Sequence, residues 1–193
     1  MMKMIAAVDA KWAIGNKGKL LISIPQDMKH FRAHTLGKTV VMGRKTLESF
    51  PNQKPLPDRD NIVLTRNPRY EVKGAAVASD IDELFRILRS GSADARAQRT
   101  AGKGQSDETD AGGTLLQDTD DVYVIGGETI YRQLLPYCDT AYITKIDYAY
   151  EADAYFPNLD EDPEWELADE SDEETYFNVC YTFCTYRRKA EKV

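Results

Sequence analysis

The sequence predicts an α/β fold: a central, mostly parallel sheet with helices on both faces and an antiparallel strand at its C-terminal edge. Three observations carry this expectation. Short apolar runs such as Met4–Val8, Thr39–Met42 and Val122–Ile125 have the length and composition of strands buried on both sides. Segments with helical spacing separate them, and strand–helix alternation implies parallel pairing. The stretches Ala141–Ile146 and Tyr176–Tyr186 follow one another with no helix between, which implies an antiparallel pair.

The elements follow in order. After the first strand, Met4–Val8, a loop is expected from Asp9 to Ile24, with Gly15 and Gly18 as turn residues. Pro25 suits the first helical position, so a helix runs from it to about Leu36, and Gly37 stops it. Thr39–Met42 is the second strand, Arg44–Phe50 a short helix, and P-N-Q-K-P-L-P-D-R-D an irregular loop. Asn61–Thr65 and Ala75–Ala78 supply two further strands. S-D-I-D-E-L-F-R-I-L-R opens with a cap signal and keeps apolar residues at helical spacing, so Asp80–Arg89 is a helix. Glu128–Leu135 is a helix between the strands Val122–Ile125 and Ala141–Ile146.

At 193 residues the chain reads as one domain spanning 1–193. Ser90 to Asp121 stands apart: it has no aromatic residue, and Leu115 and Leu116 are its large aliphatics. Such a segment cannot bury enough surface to offset its ordering entropy, so 90–121 reads as a flexible surface insertion rather than a functional lid. The acidic run from Asp160 to Glu174 reads as a solvated surface segment.

Composition excludes several function classes. A net charge of −7 argues against a nucleic-acid partner, which would need a basic face. No apolar run approaches the ~20 residues of a membrane span, and the N-terminus lacks a secretory signal, so a cytoplasmic protein is expected. Cys138 stands alone. Cys180 and Cys184 lie about 13 Å apart if on one strand, too far for a disulfide. His30 and His34 have a metal-compatible spacing on one helix, but no third ligand is close in sequence, so no metal is expected.

Two strand-to-helix turns carry chemistry. In T-V-V-M-G-R-K-T-L-E-S-F a strand stops at Gly43, and Arg44, Lys45 and Thr46 fall on the first helical turn. Unpaired N–H groups there attract phosphate, and two cations suggest a ligand more anionic than a plain pyrophosphate. D-V-Y-V-I-G-G-E-T-I-Y repeats the arrangement at Gly126-Gly127, where the backbone can approach a ligand closely. Neither turn is G-x-G-x-x-G, but two such sites could hold the halves of a dinucleotide. A carboxylate completes the picture. Ile24, Met28 and Phe31 make one apolar stripe of the first helix, and Asp27 lies on it, where an unpartnered charge is expensive. A lone carboxylate suits proton handling or recognition of an amidine-like group.

The motifs I-A-A-V-D, I-G-N-K-G, I-P-Q-D-M-K-H-F, V-V-M-G-R-K-T-L-E-S-F, L-P-D-R-D-N-I-V-L-T-R, V-I-G-G-E-T-I-Y, Y-I-T-K-I-D and E-A-D-A-Y-F-P occur in succession. In this order the chain strongly resembles the dihydrofolate reductase family, from about Ile5 to Pro157 apart from the insertion. The resemblance implies hydride transfer from NADPH to C6 of dihydrofolate with protonation at N5, in support of one-carbon metabolism, by a monomer that antifolates would target. It implies that Asp27 binds the pterin and favours N5 protonation, that Thr144 supports it, and that Leu20 shields N5. Ile5, Ala7, Met28, Phe31, Arg32, Phe50 and Leu56 would border the substrate, and Arg59 would grip its glutamate α-carboxylate. Ala7, Ile14, Gly15, Gly18 and Tyr131 would lie by the nicotinamide. Thr46 and the turn of Gly126, Gly127, Glu128 and Thr129 would hold the pyrophosphate, and Gly43, Thr65, Ile125 and Ile130 would also border the cofactor. Arg44 and Arg66, joined by Lys45, would clamp the 2′-phosphate. Many members of the family have Pro-Trp where this chain has Leu21-Ile22, and Ile22 cannot hold a water by a hydrogen bond. Two other readings stay open from the residues alone. One is a reductase of the same fold acting on another heterocycle, such as the pyrimidine reductase of riboflavin synthesis; the other is a nucleotide-binding regulator without turnover.

Overall fold

Strict side-chain alternation on the central strands builds two cores, one on each face of a sheet. The structure, a computed structural model, describes residues 1–100 and 121–190, the side chains of 91–100 excepted. The strands are β1 (Met2–Val8), β4 (Thr39–Gly43), β5 (Asp60–Leu64), β6 (Ala76–Ala78), β7 (Val122–Gly126) and β8 (Cys138–Ile146), all parallel, with β12 (Val179–Arg188) antiparallel to β8. The order across the sheet is β10-β12-β8-β1-β7-β4-β5-β6, where β10 is Trp165–Glu170. On β7, Val122 and Val124 enter one core while Tyr123 and Ile125 enter the other; Val41 and Val40 divide in the same way. Burial on both faces is why these strands read as continuous apolar runs. Each fully buried aliphatic side chain contributes about 1.5–3 kcal/mol, so the sheet is a rigid platform.

Helices α1 (Pro25–Thr35), α2 (Arg44–Glu48), α3 (Ile81–Thr100) and α4 (Glu128–Leu134) connect the strands. The stop and start signals read from sequence act as expected. Gly37 takes φ 72° after α1. At α3, Asp80 Oδ1 accepts the Glu83 N–H at 2.8 Å and Glu83 Oε2 accepts the Ser79 N–H at 2.8 Å. Among the described residues no helix is long and apolar enough to cross a membrane.

Four expectations need correction. The loop expected from Asp9 to Ile24 contains a hairpin, β2 (Ala13–Asn16) with β3 (Lys19–Leu20), and β2 also pairs β9 (Ala154–Tyr155). Gly18, at φ 75°, is a turn residue, whereas Gly15 lies inside β2, where a Cβ would stand 2.9 Å from the Lys19 carbonyl oxygen. Its glycine serves close strand approach, not a turn.

The stretch Tyr176–Tyr186 is two strands, because β11 (Glu174–Tyr176) turns through Phe177 and Asn178 into β12. A two-residue turn preserves the alternation, so the pattern runs straight through it; Phe177, at φ 52°, is 83% exposed. The acidic segment after Asp160 contains β10, whose single buried residue is Trp165. Its carboxylates are solvated as expected, and they discourage further pairing at the edge.

Finally, α3 runs through to Thr100 rather than ending at Arg89. The Ala, Arg and Gln residues that cannot build a core are good helix formers. The remainder of the proposed insertion, 101–120, lies outside the described residues.

Candidate functional site

The carboxyl ends of β1, β4, β5 and β7 open into one cleft of about 1460 Å³. That exceeds the ~300–1,000 Å³ of a single small-molecule pocket and suits two ligands side by side. It lies where parallel α/β sheets place ligands, outside the carboxyl ends of the strands.

Asp27 enters this cleft from the first turn of α1. Thr144 Oγ1, buried on β8, donates to Asp27 Oδ1 at 2.6 Å. The register places Thr144 between Ala7 of β1 and Phe183 of β12, so a short side chain leaves room for the carboxylate above it. Burial raises the Asp27 pKa above its ordinary value, and the Thr144 hydrogen bond and nearby His30 offset this in part. Among the described residues no salt bridge reaches the carboxylate.

The inward face of α1 keeps Ile24, Asp27 and Phe31 of the expected stripe but replaces Met28 with His30 and His34. Met28 is 46% exposed at the cleft rim, and the face that packs on the sheet runs through Asp27, His30, Phe31 and His34. The His30 ring stacks on Phe183 at 4.3 Å, His34 lies 4.0 Å from Tyr142, and the two imidazoles meet edge-on at 4.5 Å. Burial lowers the pKa of both; that of His34, disfavoured further by His30 and Lys3, falls to about 4. Neutral imidazoles therefore act here as aromatic packing. A hydropathy pattern treats histidine as polar and passes over this face.

The two strand-to-helix turns are neighbours because β4 pairs with β7. Cβ atoms added to Gly126 and Gly127 would lie 3.6 and 3.3 Å from Thr46 Oγ1. The two expected phosphate sites are thus one continuous cradle. Gly126 adopts φ 122°, and its added Cβ would also stand 3.4 Å from the Tyr131 ring. The Tyr131 hydroxyl donates to the Ile5 carbonyl at 2.7 Å, fixing the ring beneath the turn. Because α2 and α4 have five and seven residues, their macrodipoles are small. Anion attraction therefore rests on free N–H groups, the Thr46 hydroxyl and the cations Arg44, Lys45 and Arg66 on the cleft wall. Glu48 accepts from Arg44 Nη1 at 2.9 Å and holds that guanidinium in place.

Most residues singled out from sequence line the cleft. On the α1 side these are Ile5, Ala7, Asp27, Met28, Phe31, Phe50 and Leu56. On the glycine side they are Gly43, Arg44, Lys45 and Thr46, then Thr65 and Arg66, then Ile125 through Tyr131. Ile14, Gly15, Gly18 and Leu20 come from the hairpin. Leu20 is 70% exposed on the rim, so its shielding role requires a ligand beneath it. Thr144 lies behind Asp27, and Arg32 and Arg59 stand outside the cleft wall. Ile22 lines it and packs with Ile24, Ile146 and Tyr181.

Sequence reasoning missed the residues that brace the site. Asp9 is buried; its Oδ1 accepts the Lys11 and Ala13 N–H groups at 2.7 and 2.9 Å, and its Oδ2 accepts that of Tyr150 at 2.9 Å. Asp153 Oδ2 accepts the Lys17 N–H at 2.9 Å and the Asp153 backbone N–H donates to the Gly15 carbonyl at 3.1 Å, tying down the hairpin. A polar residue beside an apolar run was the available signal at Asp9; Asp153 offered none.

The family model described as dihydrofolate reductase matches residues 1–188. The chain is similar to the dihydrofolate reductase of Bacillus subtilis (strain 168), 33% identical over 193 residues, covering 98% of this chain and 95% of that one. The type 3 dihydrofolate reductase of Salmonella typhimurium is 34% identical over 158 residues, 82% of this chain and 79% of its own. Among solved structures, dihydrofolate reductase from Enterococcus faecalis complexed with NADP(H) and RAB-propyl superposes with a TM-score of 0.74. It has 30% identity and covers 98% of this chain and 97% of its own.

The raised pKa of Asp27 has a stability consequence. Between the ordinary carboxylate range and the raised value the folded state binds more protons than the unfolded one, so the charge costs stability as pH rises through that window. Asp27→Asn is therefore expected to raise the Tm of the ligand-free protein at pH 7, with the gain shrinking in acid. Thermal unfolding of both proteins across pH checks this; a lower Tm at pH 7 contradicts it.

Proposed function

The chain belongs to the dihydrofolate reductase family, and from that premise we propose how its residues carry out the NADPH-dependent reduction of 7,8-dihydrofolate to 5,6,7,8-tetrahydrofolate. The observation that carries the reading is the carboxylate of Asp27, held by Thr144 at 2.6 Å in an apolar cleft beside a bare-backbone cradle.

An ionised Asp27 presents two acceptor oxygens and takes the pterin's N3–H and 2-amino group as a fork. Thr144 occupies Oδ1 from behind, which fixes the plane in which that fork is offered. The negative charge in a low-dielectric pocket also makes the nearby N5 more basic, so that it draws a proton from solvent more readily. Leu20 on the rim is positioned to limit water once substrate is bound, and Ile22 offers no donor to anchor one. Phe31, Phe50, Leu56 and Met28 supply apolar walls for the pterin and benzoyl groups. Arg59, with Arg32 beside it, binds the α-carboxylate as a bidentate fork.

The residues present fit NADPH. The glycine cradle, crowded by Thr46 and Tyr131 if a Cβ is added, is suited to close approach of a pyrophosphate. Arg44, Lys45, Thr65 and Arg66 would take the 2′-phosphate, and Ala7, Ile14, Gly15, Gly18 and Tyr131 would border the nicotinamide. When bound, the cofactor supplies a hydride from C4 of its nicotinamide, which C6 of the pterin accepts. We further infer a cytoplasmic monomer that binds no nucleic acid.

The defining experiment follows NADPH oxidation with dihydrofolate, then with NADH, then with a ribosylaminopyrimidine in place of dihydrofolate. Turnover with NADPH and dihydrofolate is expected; a preference for the ribosylaminopyrimidine, or binding of NADPH without turnover, overturns the reading. Asp27→Asn is expected to keep NADPH affinity while lowering kcat by about 10²-fold or more at pH 7, and by less in acid, where the substrate is pre-protonated. An unchanged pH–rate profile refutes the role. Arg44→Ala is expected to raise the KM for NADPH about tenfold and that for NADH less than about twofold. Equal effects on both would remove the 2′-phosphate assignment.

A further inference from the structure

Arg59 is held on three sides, by Thr35 and Pro57 from behind the cleft wall and by the ring of Phe31 in it. Thr35, the last residue of α1, is fully buried. Its hydroxyl donates to the Phe31 carbonyl at 2.8 Å and accepts the Arg59 Nε–H at 2.9 Å. With its one proton committed to Phe31, that hydroxyl can only accept at Arg59, so the contact has a fixed sense. The Pro57 carbonyl takes Nη1 at 2.7 Å, and the Phe31 ring lies 5.9 Å from the guanidinium carbon.

The backbone is fixed as firmly. Asn61 is 5% exposed, and its Nδ2 donates to the Leu56 and Arg59 carbonyls at 2.9 and 3.0 Å while its Oδ1 accepts the Leu56 N–H at 3.0 Å. The end of α1 is stitched to the same loop by Gly37 N–H to the Asp58 carbonyl at 2.8 Å and Asp60 N–H to the Lys38 carbonyl at 3.0 Å. A guanidinium has five N–H groups; Thr35 and Pro57 use two, which leaves three, both of those on Nη2 among them, for a ligand carboxylate. An arginine held in this way has already given up the rotamer freedom that binding would otherwise take from it.

We propose that Thr35 and Asn61 are a positioning pair for Arg59 and set the selectivity of this protein for pterins that carry an anionic tail. The inference rests on the reading of Arg59 as the tail-binding residue. Thr35 aims the guanidinium and Asn61 holds the loop that carries it.

The test compares dihydrofolate with a dihydropterin lacking the benzoylglutamate tail, on wild type, Thr35→Val, Thr35→Ser, Asn61→Ala and Arg59→Ala. Thr35→Val keeps the shape of the side chain but cannot accept. It is expected to raise the KM for dihydrofolate about tenfold, the loss of one hydrogen bond to a charged group. The kcat, the KM for NADPH and the kcat/KM for the tailless pterin stay at wild-type values. Thr35→Ser restores the KM, and Asn61→Ala repeats the valine pattern should that variant fold poorly. A KM that rises equally for both pterins marks a packing role and overturns the inference. So does an unchanged KM in Thr35→Val when Arg59→Ala raises it. An Arg59→Ala variant with wild-type KM instead removes the tail-binding reading, and the inference falls with it.

Discussion

The molecule depends on keeping one carboxylate charged in a place that disfavours charge. Asp27 shares the cleft lining with Ile5, Ala7, Ile22 and Phe31, and the hydroxyl of Thr144 is its hydrogen-bonding partner. A salt-bridged aspartate would be more stable and less useful, since a bound cation would cancel the field that acts on the pterin. A neutral donor from behind orients the group without neutralising it. The stacked imidazoles on the same helix face fit this arrangement, because burial keeps them largely uncharged near neutral pH.

The rest of the architecture brings a phosphate cradle to that carboxylate. Parallel strands end at a common edge, so the turns after β4 and β7 open on the same side as the end of β1. The pairing of β4 with β7 merges two ordinary glycine turns into one surface, with Thr46 shared between them. Short helices make the dipole a minor contributor there and leave the work to cations and exposed N–H groups.

Behind both subsites stands a set of buried polar side chains that do not touch the cleft. Asp9 ties the β1–β2 connection to Tyr150, Asn61 closes the loop before β5, and Thr35 links α1 to Arg59. Asp9 and Asn61 fulfil the hydrogen-bonding needs of loop backbone that would otherwise be left unpaired, and Thr35 does the same for a side chain. Loops carry the ligand contacts of this protein, and these residues make the loops rigid.

By itself the sequence determined the alternation of buried strands and helices, the two glycine turns with their cations, and the burial of an aspartate on the first helix. These are local: period, capping and composition are written within a few residues, and the ordered motifs carried the family. What only the tertiary structure decided was the place of His30 and His34 on the inward face of α1, where they stack on Phe183 and Tyr142 while Met28 stays at the rim. It also decided the hairpin inside the expected loop and the edge strand in the acidic segment, both held by partners distant in sequence, and the break at Phe177, a local turn hidden by unbroken alternation. Thr35 gave no sign of its place because its significance comes from Arg59, brought to it by the return of the chain. Long-range pairing is a property of the packed sheet, and no window of neighbouring residues contains it.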